Sequence, residues 1–326
     1  MSSEDQLIER VCRKFPSGTP LVRTGIGDDA AVIRPTRRTE WVITTDAFLE
    51  NVHFLRRVHP PKAVGYKALA RSTSDIAAMG ARPRYFLLTL ALPDSCTGKW
   101  LDEFLGGMVI AARRFGLSLV GGDTTKHRTV MISLTVIGEV DSGRAILRAG
   151  ARPGDLLCVS GKLGEAELGL RLVLKGLHTK KRWENLAKKH LYPEPRLALG
   201  QWLAARRIAT SMIDTSDGLS TDLGHICKAS GVGASVWADK IPLASVPPEL
   251  KRKGLDAMRL ALDGGEDYEL LFTVPKRFAR RLPRTVTGVP ITVIGEITNG
   301  KEISLIDFRG RKSSLLPAGW DPFRKG

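Results

Sequence analysis

The sequence predicts an α/β (α+β) protein of two domains, each built from short apolar strands and amphipathic helices. Its 326 residues are about twice the length of an average domain. Apolar runs of strand length alternate with longer segments whose apolar residues recur every three or four positions. The segment 149–155 is rich in glycine and proline and can continue neither kind of element. We therefore place the boundary there, between a domain 1–149 and a domain 150–326.

The first half is predicted to form a mixed sheet layered with helices. One helix is expected from Pro61 to Met79, because proline suits a first helical turn and Gly80 follows the last apolar residue. A second helix, 99–115, is expected to stop at Gly116. Strand–helix–strand order with long connections favours a mixed sheet over a sandwich. The expected strands are residues 30–33, 41–45, 85–92 and 130–138.

The second half is predicted to begin with a strand, 156–160, followed by a helix-rich stretch. The basic run from Lys180 to Lys189 has helical character, and we interpret it as a solvated helix face. Further strands are expected at residues 208–213, 234–237, 268–274 and 291–295.

The charge balance is strongly basic, with 50 Lys+Arg against 34 Asp+Glu and a net charge of +16. Basic proteins can bind nucleic acid by releasing its counterions. Here the basic residues are scattered along the chain, and attraction of a small anionic substrate explains the charge at least as well. We therefore expect no nucleic-acid partner.

We expect a cytoplasmic protein with no membrane segment. No stretch approaches the ~20 apolar residues that a membrane helix needs, and the first ten residues are polar and acidic, unlike a secretory signal. Four widely separated cysteines, without a Cys-x-x-Cys pair, argue against a zinc site and a disulfide framework. They are Cys12, Cys96, Cys158 and Cys227.

Carboxylates cluster with glycine and threonine at the ends of the apolar runs. Ligands of α/β folds bind at strand ends, and glycine there allows the backbone to approach a phosphate. Asp and Thr oxygens are the hard ligands that Mg²⁺ prefers. The number of clusters predicts several magnesium ions rather than one. The clusters are Gly25–Asp29, Thr44–Asp46, Gly121–Thr125, Asp214–Gly218 and Gly264–Asp267.

Each cluster alone also has a plainer interpretation. Asp beside Gly is common in turns, where the side chain bonds its own loop. Asp217 could cap the helix that follows it, a role compatible with metal binding. Asp75, four residues after Arg71, fits a surface ladder of charges with Lys67 as well as a metal site. His53 could bind substrate or be structural.

Several familiar catalytic motifs are missing from the sequence. There is no Gly-x-x-x-x-Gly-Lys-[Ser/Thr] loop, no protein-kinase His-Arg-Asp or Asp-Phe-Gly set, and no Gly-x-Ser-x-Gly elbow. If the chain handles nucleotides, it does so with another arrangement.

The clusters, together with segments 51–54, 67–80 and 222–225, resemble the thiamine-monophosphate kinases of the aminoimidazole-ribonucleotide-synthetase-like superfamily. They occur in family order along nearly the whole chain. The resemblance implies direct in-line transfer of a phosphoryl group from ATP to thiamine monophosphate, the final step of thiamine diphosphate biosynthesis, assisted by several Mg²⁺ ions. It implies an N-terminal domain that binds ATP and magnesium and forms a homodimer, its helices on one face of the sheet. The C-terminal domain would complete the substrate site.

The resemblance also assigns roles to single residues. It implies no catalytic residue beyond carboxylates that hold metal, because an acceptor phosphate is already deprotonated near neutral pH. The magnesium positions are Asp29, Thr44, Thr45, Asp46, Asp75, Asp123, Asp214 and Asp217. The nucleotide contacts are Gly122, Asp123, Arg148 and Ser216. The substrate contacts are His53, Glu266 and Trp320, the last suited to stacking on a thiamine ring.

Four other classes fit less well. Selenophosphate synthetases place a reactive cysteine in a glycine-rich loop, which Cys12 lacks, and hydrogenase-maturation relatives end in a cysteine, where this chain has Gly326. A purine-synthesis ligase is disfavoured by the segment 264–269. A basic nucleic-acid-binding protein would show salt-dependent binding without ATP turnover.

Overall fold

This computed structural model describes residues 13–14, 22–24, 32–33 and 38–321, with only the backbone course of 22–24 and 32–33. The chain divides into two compact units. The N-terminal unit extends to Ile76 and from Ala81 to Gly143, and the C-terminal unit comprises Ala77–Gly80 and the chain from Arg144 onwards. The boundary at 149–150 stays a prediction.

The N-terminal unit contains a four-stranded mixed sheet in the order β3-β6-β4-β5. Strand β6 is antiparallel to both of its neighbours, and β5 runs parallel to β4. Two short strands, β1 (Val22–Thr24) and β2 (Val32–Ile33), pair separately. The strands of the sheet are β3 (Thr39–Leu49), β4 (Arg82–Leu92), β5 (Ser118–Lys126) and β6 (Met131–Asp141).

The two helices of this region, α1 (Pro61–Ala78) and α2 (Lys99–Phe115), begin and end close to their predicted positions. They pack closely, because a Cβ on Gly65 would overlap the carbonyl oxygen of Phe104. Helix α1 lies on one face of the sheet, where a Cβ on Gly138 would stand 2.7 Å from Ile76 Cγ2. Gly116 ends α2 in the left-handed conformation, φ 73°, as a glycine after a helix commonly does.

The C-terminal unit contains an eight-stranded sheet in the order β14-β13-β9-β12-β7-β10-β8, with β11 paired to β12. Only the pairing of β13 with β9 is parallel among the described strands of this sheet. The strands are β7 (Asp155–Ser160), β8 (Ser211–Asp214), β9 (Gly233–Trp237), β10 (Leu270–Pro275), β11 (Thr285–Val286), β12 (Val289–Thr298), β13 (Ile303–Ile306) and β14 (Lys312–Ser314).

Helices cover both faces of this sheet. Neighbouring residues of β7 alternate between two cores: Val159 packs with Leu223 of α6 (Leu219–Ser230), and Cys158 packs with Leu203 of α5 (Leu197–Arg206). The helices are α3 (Glu165–Leu174), α4 (Lys181–Leu191), α5 (Leu197–Arg206), α6 (Leu219–Ser230), α7 (Pro248–Lys251) and α8 (Ala257–Asp263). None of the helices described is both long and apolar enough to cross a membrane.

Candidate active site

The polar stretch Thr44–Asp46 lies in the middle of β3 and not at a strand end, so the predicted position is wrong. Its register with β6 is unbroken from Thr39 to Leu49. Strand β3 is at the edge of the sheet, and its pairing with β6 continues through the polar residues. The strand therefore does not end at them. Side chains alternate along a strand, so Thr44 and Asp46 share a face with the buried Val42 and Phe48.

Helix α1 supplies a second carboxylate on that face. Thr44 Oγ1 donates a hydrogen bond to Asp75 Oδ2 at 2.5 Å, and Arg71 Nη2 lies 3.3 Å from Asp46 Oδ1. The surface-ladder interpretation of Asp75 is wrong, because Lys67 is buried. Two carboxylates and a hydroxyl therefore lie on one patch of the N-terminal unit, which is a donor set that suits Mg²⁺.

Thr45 and Asp123 do not join this group. The Thr45 hydroxyl lies on the opposite face of β3, where it accepts a hydrogen bond from Thr135 Oγ1 at 3.2 Å. Asp123 lies within β5 at the other edge of the sheet, so its backbone is about 14 Å from that of Asp46 at ~4.8 Å per strand. Its neighbour Gly122 runs so close to β4 that a Cβ would overlap the Leu88 carbonyl.

His53 has a structural role in the N-terminal unit. Its ring stacks on Phe48 at a centroid distance of 5.6 Å, and its Nδ1 accepts a hydrogen bond from the Leu49 backbone at 3.0 Å. Substrate binding by His53 stays a prediction. The predicted metal ligand Asp29 lies outside the described residues.

In the C-terminal unit, Asp214 ends β8 as expected, and the loop after it leads into α6. The buried carboxylate at the start of α6 is that of Asp222, which accepts hydrogen bonds from the backbone N–H groups of Gly218 at 3.0 Å and Asp217 at 3.3 Å. Its Oδ1 has no hydrogen-bond partner among the described residues. Burial, together with the charges of Asp214 and Asp217, raises the pKa of Asp222 well above its usual range.

Asp222 was not among the predicted site residues. The sequence feature that could have identified it is a carboxylate on the buried side of a helix. Asp222 directly precedes Leu223 in the segment Asp-Leu-Gly-His. An isolated charge is almost never placed there without a partner.

The segment Gly264–Glu269, which we call the acidic loop, lies beside the loop after β8. The Glu266 N–H donates to the Ser216 carbonyl at 2.8 Å, and the Tyr268 N–H donates to the Thr215 carbonyl at 2.9 Å. Glu266 and Tyr268 both adopt positive φ, 67° and 49°, which is costly for residues other than glycine. The two loops therefore bring Ser216 and Glu266 together.

The acidic loop is anchored by a buried ion cluster. Glu269, whose side chain is fully buried, accepts hydrogen bonds from Ser160 Oγ at 2.5 Å, Lys189 Nζ at 2.7 Å and Arg196 Nε at 2.6 Å. These partners outweigh the effect of burial and lower the pKa of Glu269 to about 2. The prediction that residues 180–189 form a solvated helix face is therefore wrong for Lys189, whose side chain points from α4 into the interior.

Asp267, the next acid of the loop, anchors it at α3. It accepts hydrogen bonds from the backbone N–H groups of Gly164 and, at 2.8 Å, Ala166. These groups begin α3, so Asp267 satisfies helix donors from a distant part of the chain. Burial raises the pKa of Asp267 to about 7, although both hydrogen bonds oppose the shift.

The C-terminal segment crosses the start of α6. The Trp320 N–H donates to the Asp217 carbonyl at 2.9 Å, and the Gly319 N–H donates to Thr221 Oγ1 at 3.1 Å. The Trp320 side chain is nevertheless exposed, with 50% of the residue's surface accessible. Its main chain is fixed beside a predicted metal ligand while its ring remains available for stacking.

The Arg148 side chain lies near α6, close to His225. Burial lowers the pKa of His225, and the charge of Arg148 lowers it further, whereas the charge of Asp217 raises it. Both charges therefore lie near one histidine of α6. A cation is thus available close to the carboxylates of the C-terminal unit.

The oxygen donors fit magnesium ions that are shared with phosphate. Within the described part of the chain, no three His, Cys, Asp or Glu side chains converge as ligands of one ion. Mg²⁺ usually takes one or two carboxylates and completes its octahedron with water and phosphate oxygens. A cation beside Asp214 and Asp217 would also satisfy Asp222 Oδ1, which is buried and has no partner in the part of the chain that the structure describes.

Comparisons with known proteins show the family to which the chain belongs. Residues 27–140 match the family model "AIR synthase related protein, N-terminal domain", and residues 152–308 match its C-terminal counterpart. Fold and matched regions define a two-domain AIR synthase related protein. The thiamine-monophosphate kinase of Salmonella typhimurium is 40% identical over 299 residues, 90% of each chain.

Two solved structures extend the likeness. The structure of thiamine-monophosphate kinase from Stenotrophomonas maltophilia has a TM-score of 0.83 and is 36% identical in sequence. The match covers 94% of this chain and 96% of the Stenotrophomonas chain. AaThiL complexed with AMPPCP and TMP has a TM-score of 0.77 and 33% identity, covering 98% and 97%. The chain belongs to the thiamine-monophosphate kinase family.

Proposed function

We propose that this protein transfers the γ-phosphoryl group of ATP to the phosphate of thiamine monophosphate, giving ADP and thiamine diphosphate. The observation that carries the proposal is the likeness over 98% of the chain to AaThiL complexed with AMPPCP, an ATP analogue, and TMP. The carboxylates of each unit suit this reaction once they hold magnesium, because transfer between two anions needs positioning and charge neutralisation.

The proposal includes more than one magnesium ion. Asp46 and Asp75 would hold one with Thr44. Asp123, whose backbone lies ~14 Å from that of Asp46 across the sheet, would hold a separate ion. Asp214 and Asp217 would hold another, with Asp222 beside them. Bound magnesium would neutralise the phosphates and align them. Asp29 and the main chain of Thr45 remain further proposed ligands.

The remaining predicted contacts divide between nucleotide and substrate. Gly122, next to Asp123 on β5, stays in the proposal as a nucleotide contact. Arg148 supplies a cation near Asp217, and Ser216 lies next to Glu266. Glu266 would face the positive charge of the thiazolium, and the exposed Trp320 ring would stack on it. His53 stays in the proposal as a substrate contact.

We also propose a homodimer formed through the N-terminal sheet. Strand β3 is an edge strand, and Ile43 on it is 63% exposed. The register places Met131, 39% exposed, on the same face, away from α1. Exposed apolar side chains on one face of a sheet are typical of an interface. Light scattering on the wild type and Ile43→Lys tests this, with a smaller mass expected for the variant.

The cysteine spacing supports a cytoplasmic location, and the described cysteines, Cys96, Cys158 and Cys227, are free and buried. A reducing compartment suits unpaired thiols. This remains part of the proposal.

The experiment that tests the proposal is a substrate panel. ADP release is measured with thiamine monophosphate, with thiamine and with unrelated phosphorylated metabolites, each with magnesium. We expect turnover with thiamine monophosphate alone, because an acceptor phosphate is already deprotonated near neutral pH, whereas the hydroxyl of thiamine would need a general base. Equal turnover with thiamine would contradict the proposal, as would salt-dependent nucleic-acid binding without any ATP turnover.

A further inference from the structure

The last turn of α4 faces the acidic loop with two adjacent side chains. Lys189 Nζ lies 2.7 Å from Glu269 Oε1, and His190 Nδ1 lies 3.2 Å from Glu266 Oε2. The Glu269 side chain is fully buried, whereas 23% of the Glu266 side chain is exposed. Glu269 therefore anchors the acidic loop in the interior, whereas the Glu266 carboxylate reaches the surface.

His190 itself is held in place by packing. It is fully buried. A Cβ on Gly169 of α3 would stand 2.8 Å from the His190 Cβ, so the two helices approach at this point as closely as a glycine allows. The imidazole has little room for another rotamer, and Nδ1 remains directed at Glu266.

The main chain of Glu266 is fixed as well. Its φ is 67°, and its N–H donates to the Ser216 carbonyl at 2.8 Å. With the backbone held from that side, the carboxylate position depends on the side-chain torsions, which the contact of Glu266 Oε2 with His190 Nδ1 at 3.2 Å restricts. A hydrogen bond to a charged group is stronger than one between neutral groups.

We propose that His190 is a positioning residue for substrate recognition, which holds the Glu266 carboxylate where it meets the cationic half of the substrate. The inference rests on the proposed function, in which Glu266 contacts thiamine monophosphate. His190 does not touch substrate in this proposal and acts only through Glu266. The last turn of α4 thus determines specificity from within the unit.

The test compares steady-state kinetics of His190 variants in the full-length enzyme. His190→Leu fills the space without a donor, and we expect the KM for thiamine monophosphate to rise about tenfold. The kcat and the KM for ATP should stay within about twofold, because Glu266 orientation affects only the substrate cation. His190→Asn, whose amide nitrogen stands where Nδ1 stands, should recover most of the loss. If the leucine variant does not fold, His190→Gln, which places its amide beyond Nδ1, replaces it.

Two controls separate positioning from a general weakening of α4. In a Glu266→Gln background, His190→Leu should change the KM less than about twofold, since both act on one interaction. Leu191→Ala, at a buried apolar position on the same turn, should lower the thermal midpoint without changing the KM. Additive KM effects, or an equal KM rise in Leu191→Ala, would overturn the inference. A wild type inactive on thiamine monophosphate would instead refute the proposed function, and the inference with it.

Discussion

Glu269→Gln should cost the C-terminal unit about 3–5 kcal/mol of its free energy of unfolding, which is the penalty for leaving buried cations without their partner. The variant removes the charge between Lys189 and Arg196, whose side chains are only 14% and 19% exposed. The lowered pKa of Glu269 corresponds to a similar magnitude. A carboxyl pKa lowered from 4.5 to about 2 corresponds to about 3 kcal/mol.

The sign of the pH dependence follows from the same shift. Because the pKa of Glu269 is lowered in the folded protein, its stabilisation is complete above pH ~4.5 and is lost as the pH falls towards 2. The difference between wild type and Glu269→Gln should therefore be largest near neutral pH and shrink in acid.

The assay is urea unfolding followed by tryptophan fluorescence and circular dichroism, at neutral pH and near pH 4. The matched control is Glu249→Gln, which removes an ion pair with Arg182 at 3.6 Å between largely exposed side chains. Such a pair contributes no more than about 1 kcal/mol. If Glu269→Gln lost no more stability than Glu249→Gln, the buried cluster would not anchor the acidic loop, and our account of that loop would be wrong.

Three further predictions concern the site. Asp46→Asn and Asp123→Asn should each lower kcat at least about a hundredfold while the free energy of unfolding changes by less than ~1 kcal/mol; near-normal turnover at ordinary magnesium would remove that residue from the metal sites. Trp320→Ala should raise the KM for thiamine monophosphate about tenfold and leave that for ATP unchanged; loss of stability together with both affinities would show a packing role instead. Chelation with EDTA should abolish turnover and added Mg²⁺ restore it, whereas activity that persists after chelation would contradict the metal proposal.

The regular elements of the fold could be predicted because their local signals agree. Helix α2 shows apolar periodicity and a terminal glycine, and it lies where these place it. Strand β5 has no such pattern. It begins with three apolar or small residues, continues with Gly121 and Gly122, and ends with four polar residues. It forms because pairing with β4 satisfies its backbone, and that long-range cause leaves no periodicity in the segment.

The candidate site was predictable in its residue types but not in its geometry. The sequence marks Asp46 and Asp75 as unusual acids, and the structure brings their segments together through Thr44. The sequence gives no sign that the Lys189 side chain points inward, because the partner of Lys189, Glu269, lies 80 positions away in the chain. The position of Thr45 follows from strand alternation, once β3 is known to continue through the polar stretch.

The measurement that tests the central claim most directly is ³¹P NMR of the wild-type enzyme with ATP, thiamine monophosphate and Mg²⁺. Direct transfer between phosphates predicts that the paired diphosphate signals of thiamine diphosphate grow at the rate at which ADP forms, while the thiamine monophosphate signal falls equally. Formation of ADP and orthophosphate with thiamine monophosphate unchanged would contradict the account.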